Sequence, residues 1–304
     1  MPRSSNSSGL LLAAGGAIGF ASKGIFAKFL YAHGLGVEAV LALRSLFSLP
    51  LMWAWVLWLH GWESIRAANL RAVGVAALAG LLCYGVGALL DFHALTLIPA
   101  SVERVVLFSY PAMIVLAGMV MGRGAPSARV LAAVALTYAG IFLTVGGFDP
   151  QLLRQNAAGT AYVLVCAATF AGYFLIGERY VRSLGSQPFA LYAMSAAGIA
   201  LILSFSLHIG WRAVRLGGGD WLLLAGLAVF ATALPMFMSA EGMRRLGAQR
   251  SALAATIGPV ATLALAAALL DERLHAVQLA GSALIIVGIL VLEMKRAAVP
   301  PDAA

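Results

Sequence analysis

Residues 131–141 read LAAVALTYAGI, and 148 positions further on residues 279–289 read LAGSALIIVGI. Leu131, Ala132, Ala135, Leu136, Gly140 and Ile141 meet Leu279, Ala280, Ala283, Leu284, Gly288 and Ile289 without a gap. The same offset aligns Ala100 with Ala248 and Pro111 with Pro259, and an offset of 150 aligns Ala17, Phe20 and Ala21 with Ala167, Phe170 and Ala171. Alanine- and leucine-rich helices yield chance identities readily. Matched prolines in a near-constant register are a different matter, and they point to duplication. The chain divides into residues 1–148, residues 149–295 and a short tail, 296–304.

What is duplicated is a set of membrane spans. Of 304 residues, 62% are hydrophobic and 11% charged, with a mean hydropathy of +0.94. Soluble domains carry about 25% charged residues, so the soluble, disordered and nucleic-acid-binding classes are excluded despite a net charge of +8. A transmembrane helix needs about 20 mostly apolar residues. That measure predicts ten, at roughly 9–30, 38–59, 71–92, 101–121, 129–147, 158–178, 188–209, 220–241, 250–270 and 276–294. The breaks between them are short, such as His60-Gly61-Trp62-Glu63 and Gly217-Gly218-Gly219-Asp220, and none holds a soluble domain. A transmembrane barrel would alternate apolar and polar residues; these stretches are apolar all round. The fold class is an all-α integral membrane protein. Arg3 before an apolar run resembles a signal peptide, but no small-residue cleavage pattern follows and Lys23 interrupts the run, so the first span is expected to stay. Cys83 and Cys166 lie inside apolar runs and suggest neither a disulfide nor a metal site.

The loop charges orient the chain. With the N-terminus in the cytoplasm, twelve basic residues face inward: Arg3, Arg66, Arg71, Arg123, Arg129, Arg179, Arg182, Arg244, Arg245, Arg250, Lys295 and Arg296. Five face outward: Arg104, Arg154, Arg212, Arg215 and Arg273. That is the positive-inside bias of a multi-pass protein with both termini cytoplasmic. Five spans per half is an odd number, so the second half enters the bilayer upside down. Two halves related by an in-plane pseudo-two-fold are a plan that secondary transporters use repeatedly.

Two motif runs carry a family resemblance. They are Ala94-Leu95 through Pro99-Ala100-Ser101 with Leu107-Phe108-Ser109-Tyr110-Pro111, and Ile257-Gly258-Pro259 with Leu270-Asp271-Glu272-Arg273-Leu274. Together they resemble the drug/metabolite transporter superfamily, in particular its EamA-type exporters with two five-helix units. The resemblance covers nearly the whole chain. It implies a bacterial inner-membrane exporter with no cofactor, for which amino acids or related zwitterions are the leading cargo. One departure is plain: Gly122-Arg123-Gly124 stands where the family usually places a glutamate.

Charges inside hydrocarbon cost several kcal/mol unless paired or hydrated, which makes them candidates for function. Lys23 lies about 21 Å along the first span and Arg44 about 9 Å from the outer end of the second. Asp91 and His93 close the third span on the outer side, where Glu103-Arg104 opens the fourth. These groups either line a water-filled cavity, where Lys23 and Arg44 attract a carboxylate and Asp91 or Glu103 an ammonium, or Lys28, Asp91, Glu103 and Arg104 snorkel to the headgroups and form register-fixing salt bridges, with Lys23 too deep to snorkel comfortably. A Lys23–Asp91 pair would also make a gate, and Asp91 or Glu103 would serve a proton-coupled route; uniport fits equally. Glu241, beside Arg244 and Arg245, and Glu178, beside Arg179, are an inner gate or solvated helix ends.

Pro111 and Pro259 fall near the middle of matching spans, where proline kinks a helix. Interruptions at corresponding places in two halves point to a midplane site, with Ser109, Tyr110 and Thr256 supplying hydroxyls; packing kinks are the plainer reading. Tyr84, Tyr173 and Phe174 either stack on a cargo ring or pack as ordinary aromatics. Trp53, Trp55, Trp58 and Trp62 fit an interfacial belt, and Gly15, Gly16 and Gly19 fit close helix packing. The five histidines are scattered, no HExxH, CxxC or phosphate loop occurs, and no nucleophile or metal cluster shares a depth, which argues against an enzyme. The expected function is export of small polar or amphipathic metabolites by alternating access, by a monomer or homodimer. Export of drugs or lipophilic cations is the alternative, in which Tyr84, Tyr173 and Asp91 outweigh Lys23.

Overall fold

The computed structural model describes residues 3–66, 68–122, 127–246, 254, 257–273 and 275–296. Eight helices among these are long and apolar enough to cross a bilayer: α1 (Ser8–Ala32), α2 (Val37–Glu63), α3 (Leu70–Leu97), α4 (Ala100–Val120), α5 (Ala128–Val145), α6 (Pro150–Gly177), α7 (Ser186–His208) and α8 (Gly218–Ser239). Two apolar helices, α9 (Ile257–Leu269) and α10 (Ala276–Val291), are shorter within the described residues. No strand occurs among the described residues. Thr256 and Arg123, singled out from the sequence, lie outside them.

Local chemistry explains the helix ends nearest the centre. The Asn69 side chain accepts hydrogen bonds from the Arg71 and Ala72 amides at 2.9 and 3.4 Å and so caps α3. Proline disfavours the helical conformation for the residue before it; here Ile98 is extended ahead of Pro99, which separates α3 from α4.

Four central helices are irregular. The Ser22 hydroxyl donates to the Gly19 carbonyl at 2.7 Å and α1 tightens by one turn there, just ahead of Lys23. In α4 the break falls at Phe108–Ser109, not at Tyr110-Pro111 itself. Pro111 sits in the first turn of the helical piece Tyr110–Val120, because its missing N–H leaves the Leu107 carbonyl without a helical donor. Pro259 lies in α9. Helices α3 and α8 each widen into a π-helical turn, Leu81–Gly87 and Val229–Ala233, whose first residues are 148 apart.

Packing follows the duplication. Helix α1 lies against the second part of α8, and α6 lies against α3; α2 packs on α7, α4 on α9 and α5 on α10. One of these pairs is built from the two quoted stretches. A methyl group on Gly140 would sit 2.7 Å from the Gly281 carbonyl oxygen, and one on Gly281 2.6 Å from that of Gly140, so only glycine lets α5 and α10 approach this closely. At the other contact, a methyl on Gly19 would lie 2.8 Å from the Phe230 carbonyl in α8. One apolar cluster around Phe92 joins α1, α2 and α3 to Leu224, Leu227 and Ala231 of α8 and Ala266 of α9. A second, around Val105 and Val163, joins α3, α4 and α6 to Ile285 and Ile289 of α10.

The tryptophans do not form one belt. Trp58 and Trp62 are exposed, but Trp53 donates its indole N–H to Ser195 Oγ at 2.9 Å and Trp55 stacks on Phe237 at 4.7 Å. Those two fasten α2 to α7 and α8, because an indole partly buried between helices finds a hydrogen-bond or ring partner.

Candidate functional site

Lys23 follows the tightened turn of α1, and its ammonium is paired with Asp91 Oδ2 of α3. The same ammonium reaches Glu103 Oε1 of α4 at 3.4 Å. The acids are deeply buried, Asp91 at 3% and Glu103 at 1% exposure. One cation thus holds two carboxylates in low-dielectric surroundings, where Coulomb attraction is strong and an unpaired charge is costly. Snorkelling to the headgroups does not describe this geometry.

Two arginines flank the cluster. The Arg44 guanidinium of α2 lies 5.1 Å from the centre of the Phe92 ring, and the Lys23 ammonium 5.6 Å from that ring's centre. Arg104 of α4 lies 5.2 Å from the centre of Phe108, with its Nη2 close to Gly258 beside Pro259. Phe92 carried no sequence signal, and Phe108 stood only as one residue of a quoted motif run. The pairing shows their use: each offers an aromatic face to a cation that hydrocarbon would otherwise surround.

Ser109 is fully buried at the α4 break. Tyr110 stacks on Phe174 at 5.3 Å, and Tyr84 meets Tyr173 at 5.1 Å and Phe170 at 6.0 Å. The expected aromatic residues therefore gather into one group spanning α3, α4 and α6, on the side of the cluster away from the α1–α2 turn. Beside them a groove of about 290 Å³ runs between α3 and α6, lined by Leu82, Thr169, Gly172 and Tyr173 among others. Glu241 is not part of either group; it pairs with Arg245 of its own helix at 2.7 Å. Cys83 and Cys166 are buried and free.

Glu272 plays a part that the sequence did not assign. The left-handed Asp271 turns the chain after α9 back toward the bundle. The Glu272 carboxylate then accepts the Ala100 amide at 2.8 Å, the Ser101 amide at 3.1 Å and the Ser101 hydroxyl at 2.7 Å. It caps α4, the helix that carries Glu103 and Arg104, where the helix dipole also favours an anion. Lys28 adds a hydrogen bond to the Ile98 carbonyl at 2.9 Å and lies 3.8 Å from Glu272. At the same end His33 meets Asp220 at 2.5 Å and His93 meets Glu38 at 3.4 Å.

Many apolar helices around a buried, paired charge cluster define a multi-pass membrane protein with a polar interior. Comparison with known proteins sharpens that class. The pattern of the EamA-like transporter family matches residues 7–146 and again residues 157–294. The chain belongs to the EamA-like transporter family. It is 32% identical to the uncharacterized transporter YcbK of Bacillus subtilis over 272 residues, covering 88% of this chain and 86% of that one. An uncharacterized transporter of Synechocystis sp. is 26% identical over 96% of this chain and 94% of its own. A crystal structure of a protein 19% identical in sequence superposes with a TM-score of 0.65 over 96% of this chain and 99% of that one, and so shares the fold. The resemblance drawn from the motifs is borne out.

Proposed function

We propose that the protein is a secondary carrier of the bacterial inner membrane that exports small polar or amphipathic metabolites, amino acids or related zwitterions, by alternating access of two inverted halves. The observation that carries this reading is the buried group of Lys23, Asp91 and Glu103, which places mixed charge in the interior of a family of transporters. Such groups inside a membrane are expensive and persist where a polar solute or ion passes.

The pairing of helices across the halves supports the alternation. In the proposed topology the turns carrying His33, Asp220 and Glu272 face outward, and the aromatic group lies toward the cytoplasm. The Lys23–Asp91 pair then acts as a lock on the outer side that opens when cargo replaces one partner. The aromatic group favours the second reading, in which a drug or lipophilic cation stacks on Tyr84 and Tyr173 beside Asp91.

Reconstitution into liposomes with a panel of labelled amino acids and a lipophilic cation, with and without a pH gradient, tests both. Amino-acid exchange by the wild type that is lost in Lys23→Gln at normal membrane abundance supports the first reading. Cation transport with amino acids ignored supports the second. Dependence on the gradient would assign proton coupling to Asp91 and Glu103, and independence would assign uniport.

A further inference from the structure

Three polar atoms in the cluster are buried without a hydrogen-bond partner among the described residues: Arg44 Nε, Arg104 Nε and Asp91 Oδ1. Both arginines are 8% exposed, and neither forms an ion pair within 4.0 Å among the described residues. Each guanidinium has a ring against its face, but a ring satisfies the face and not the in-plane N–H donors. Lys23 occupies the other oxygen of Asp91, Oδ2. Unsatisfied buried groups in a native site call for a ligand or a strain that explains them.

Charge points the same way. Lys23, Arg44 and Arg104 stand against Asp91 and Glu103, so basic side chains outnumber carboxyl groups three to two. Lys23 is consumed by the two carboxylates, so the surplus positive charge rests with the arginines. Two arginines with unsatisfied Nε donors and one unsatisfied carboxylate oxygen form a complementary image of a molecule with two carboxylates and one ammonium.

We propose that the cargo is an acidic amino acid, an amino dicarboxylate of net charge −1, with one carboxylate on Arg44, the other on Arg104 and the ammonium on Asp91 Oδ1. This rests on the carrier reading above and narrows its substrate class. A neutral zwitterion would satisfy only one arginine and leave the cluster positive. A dicarboxylate lacking the ammonium would satisfy both arginines and leave Asp91 Oδ1 unpaired. A lipophilic cation would add charge of the wrong sign.

Glutamate and glutamine give the cleanest contrast, since they share size and shape and differ in one charge. Purified full-length protein in liposomes loaded with L-glutamate is expected to take up labelled L-glutamate at least about tenfold faster than L-glutamine, because a buried cation left unpaired rejects the neutral analogue. Arg44→Gln and Arg104→Gln are each expected to cut glutamate uptake about tenfold or more. In detergent, the wild-type Tm is expected to rise with L-glutamate and not with L-glutamine, a measurement that needs no variant to fold. Equal handling of glutamate and glutamine, or undiminished glutamate uptake in folded arginine variants, overturns the proposal and leaves the carrier reading standing. Absence of exchange for glutamate, glutamine and alanine alike, with no Tm response, overturns both.

Discussion

Lys23 and Tyr173 occupy matching positions in the two halves, and their neighbourhoods have diverged entirely. Lys23 holds Asp91 and Glu103. Tyr173 sits among Tyr84, Phe174 and Phe189, with ring centres 5.1–5.7 Å away. Asp91 has Ser239 as its counterpart and Glu103 has Ser251, so the second half retains none of the charges. The scaffold around both is shared: each third helix widens into a π turn, and each packs against the first helix of the opposite half. Duplication preserved the backbone device and left the side chains free to specialise, charged toward one end of the bundle and aromatic toward the other.

The contrast can be broken most forcefully at Asp91. Asp91→Ala leaves Lys23 holding Glu103 alone, and removing one partner of a buried ion pair costs about 3–5 kcal/mol. The expected readout is a large drop in Tm and in folded yield. Replacing the whole group, as Lys23→Met with Asp91→Leu and Glu103→Gln, should restore much of the stability but not transport. An Asp91→Ala protein as stable as wild type would mean that the charges carry no structural weight.

Next in size is the cap that joins the halves. Glu272→Ala removes the acceptor for two amides and a hydroxyl at the start of α4, worth about 1–2 kcal/mol. Hydrogen exchange at Ala100 and Ser101 should accelerate while the amides of α10 stay protected. Tyr173→Phe keeps every ring contact on the aromatic side and should change stability by about 0.5–1 kcal/mol, well below the charged side. Glu241→Gln breaks an exposed pair with Arg245 and should cost no more than about 0.5 kcal/mol in a thermal melt.

Much of this was legible in the sequence for physical reasons. Span positions follow from hydropathy alone, and the glycines at 15, 16 and 19 announced a close helix contact, which the structure places against α8. Lys23, Arg44, Asp91, Glu103 and Arg104 stood out because ionisable residues in hydrocarbon need a reason to be there. Their partners were not legible. Lys23 follows directly on the tightened turn at Ser22, whose hydroxyl bond no periodicity reveals. Phe92 and Phe108 look like any core residue until a guanidinium lies on them. Glu272 is assigned by three-dimensional closure across the halves, 171 and 172 residues from the groups it binds. The π turns have no composition of their own, and the proline-containing break in α4 moved two residues toward its N-terminus because proline disturbs the turn before it.

The central claim is that water and cargo reach the Lys23 cluster alternately from the two faces of the membrane. With Cys83 and Cys166 replaced by alanine, Lys23→Cys in sealed vesicles of known orientation can be probed with a charged, membrane-impermeant thiol reagent applied to each face in turn. The account predicts modification from both faces, slowed by a transported amino acid. A folded protein whose introduced thiol stays inert from both sides would contradict it.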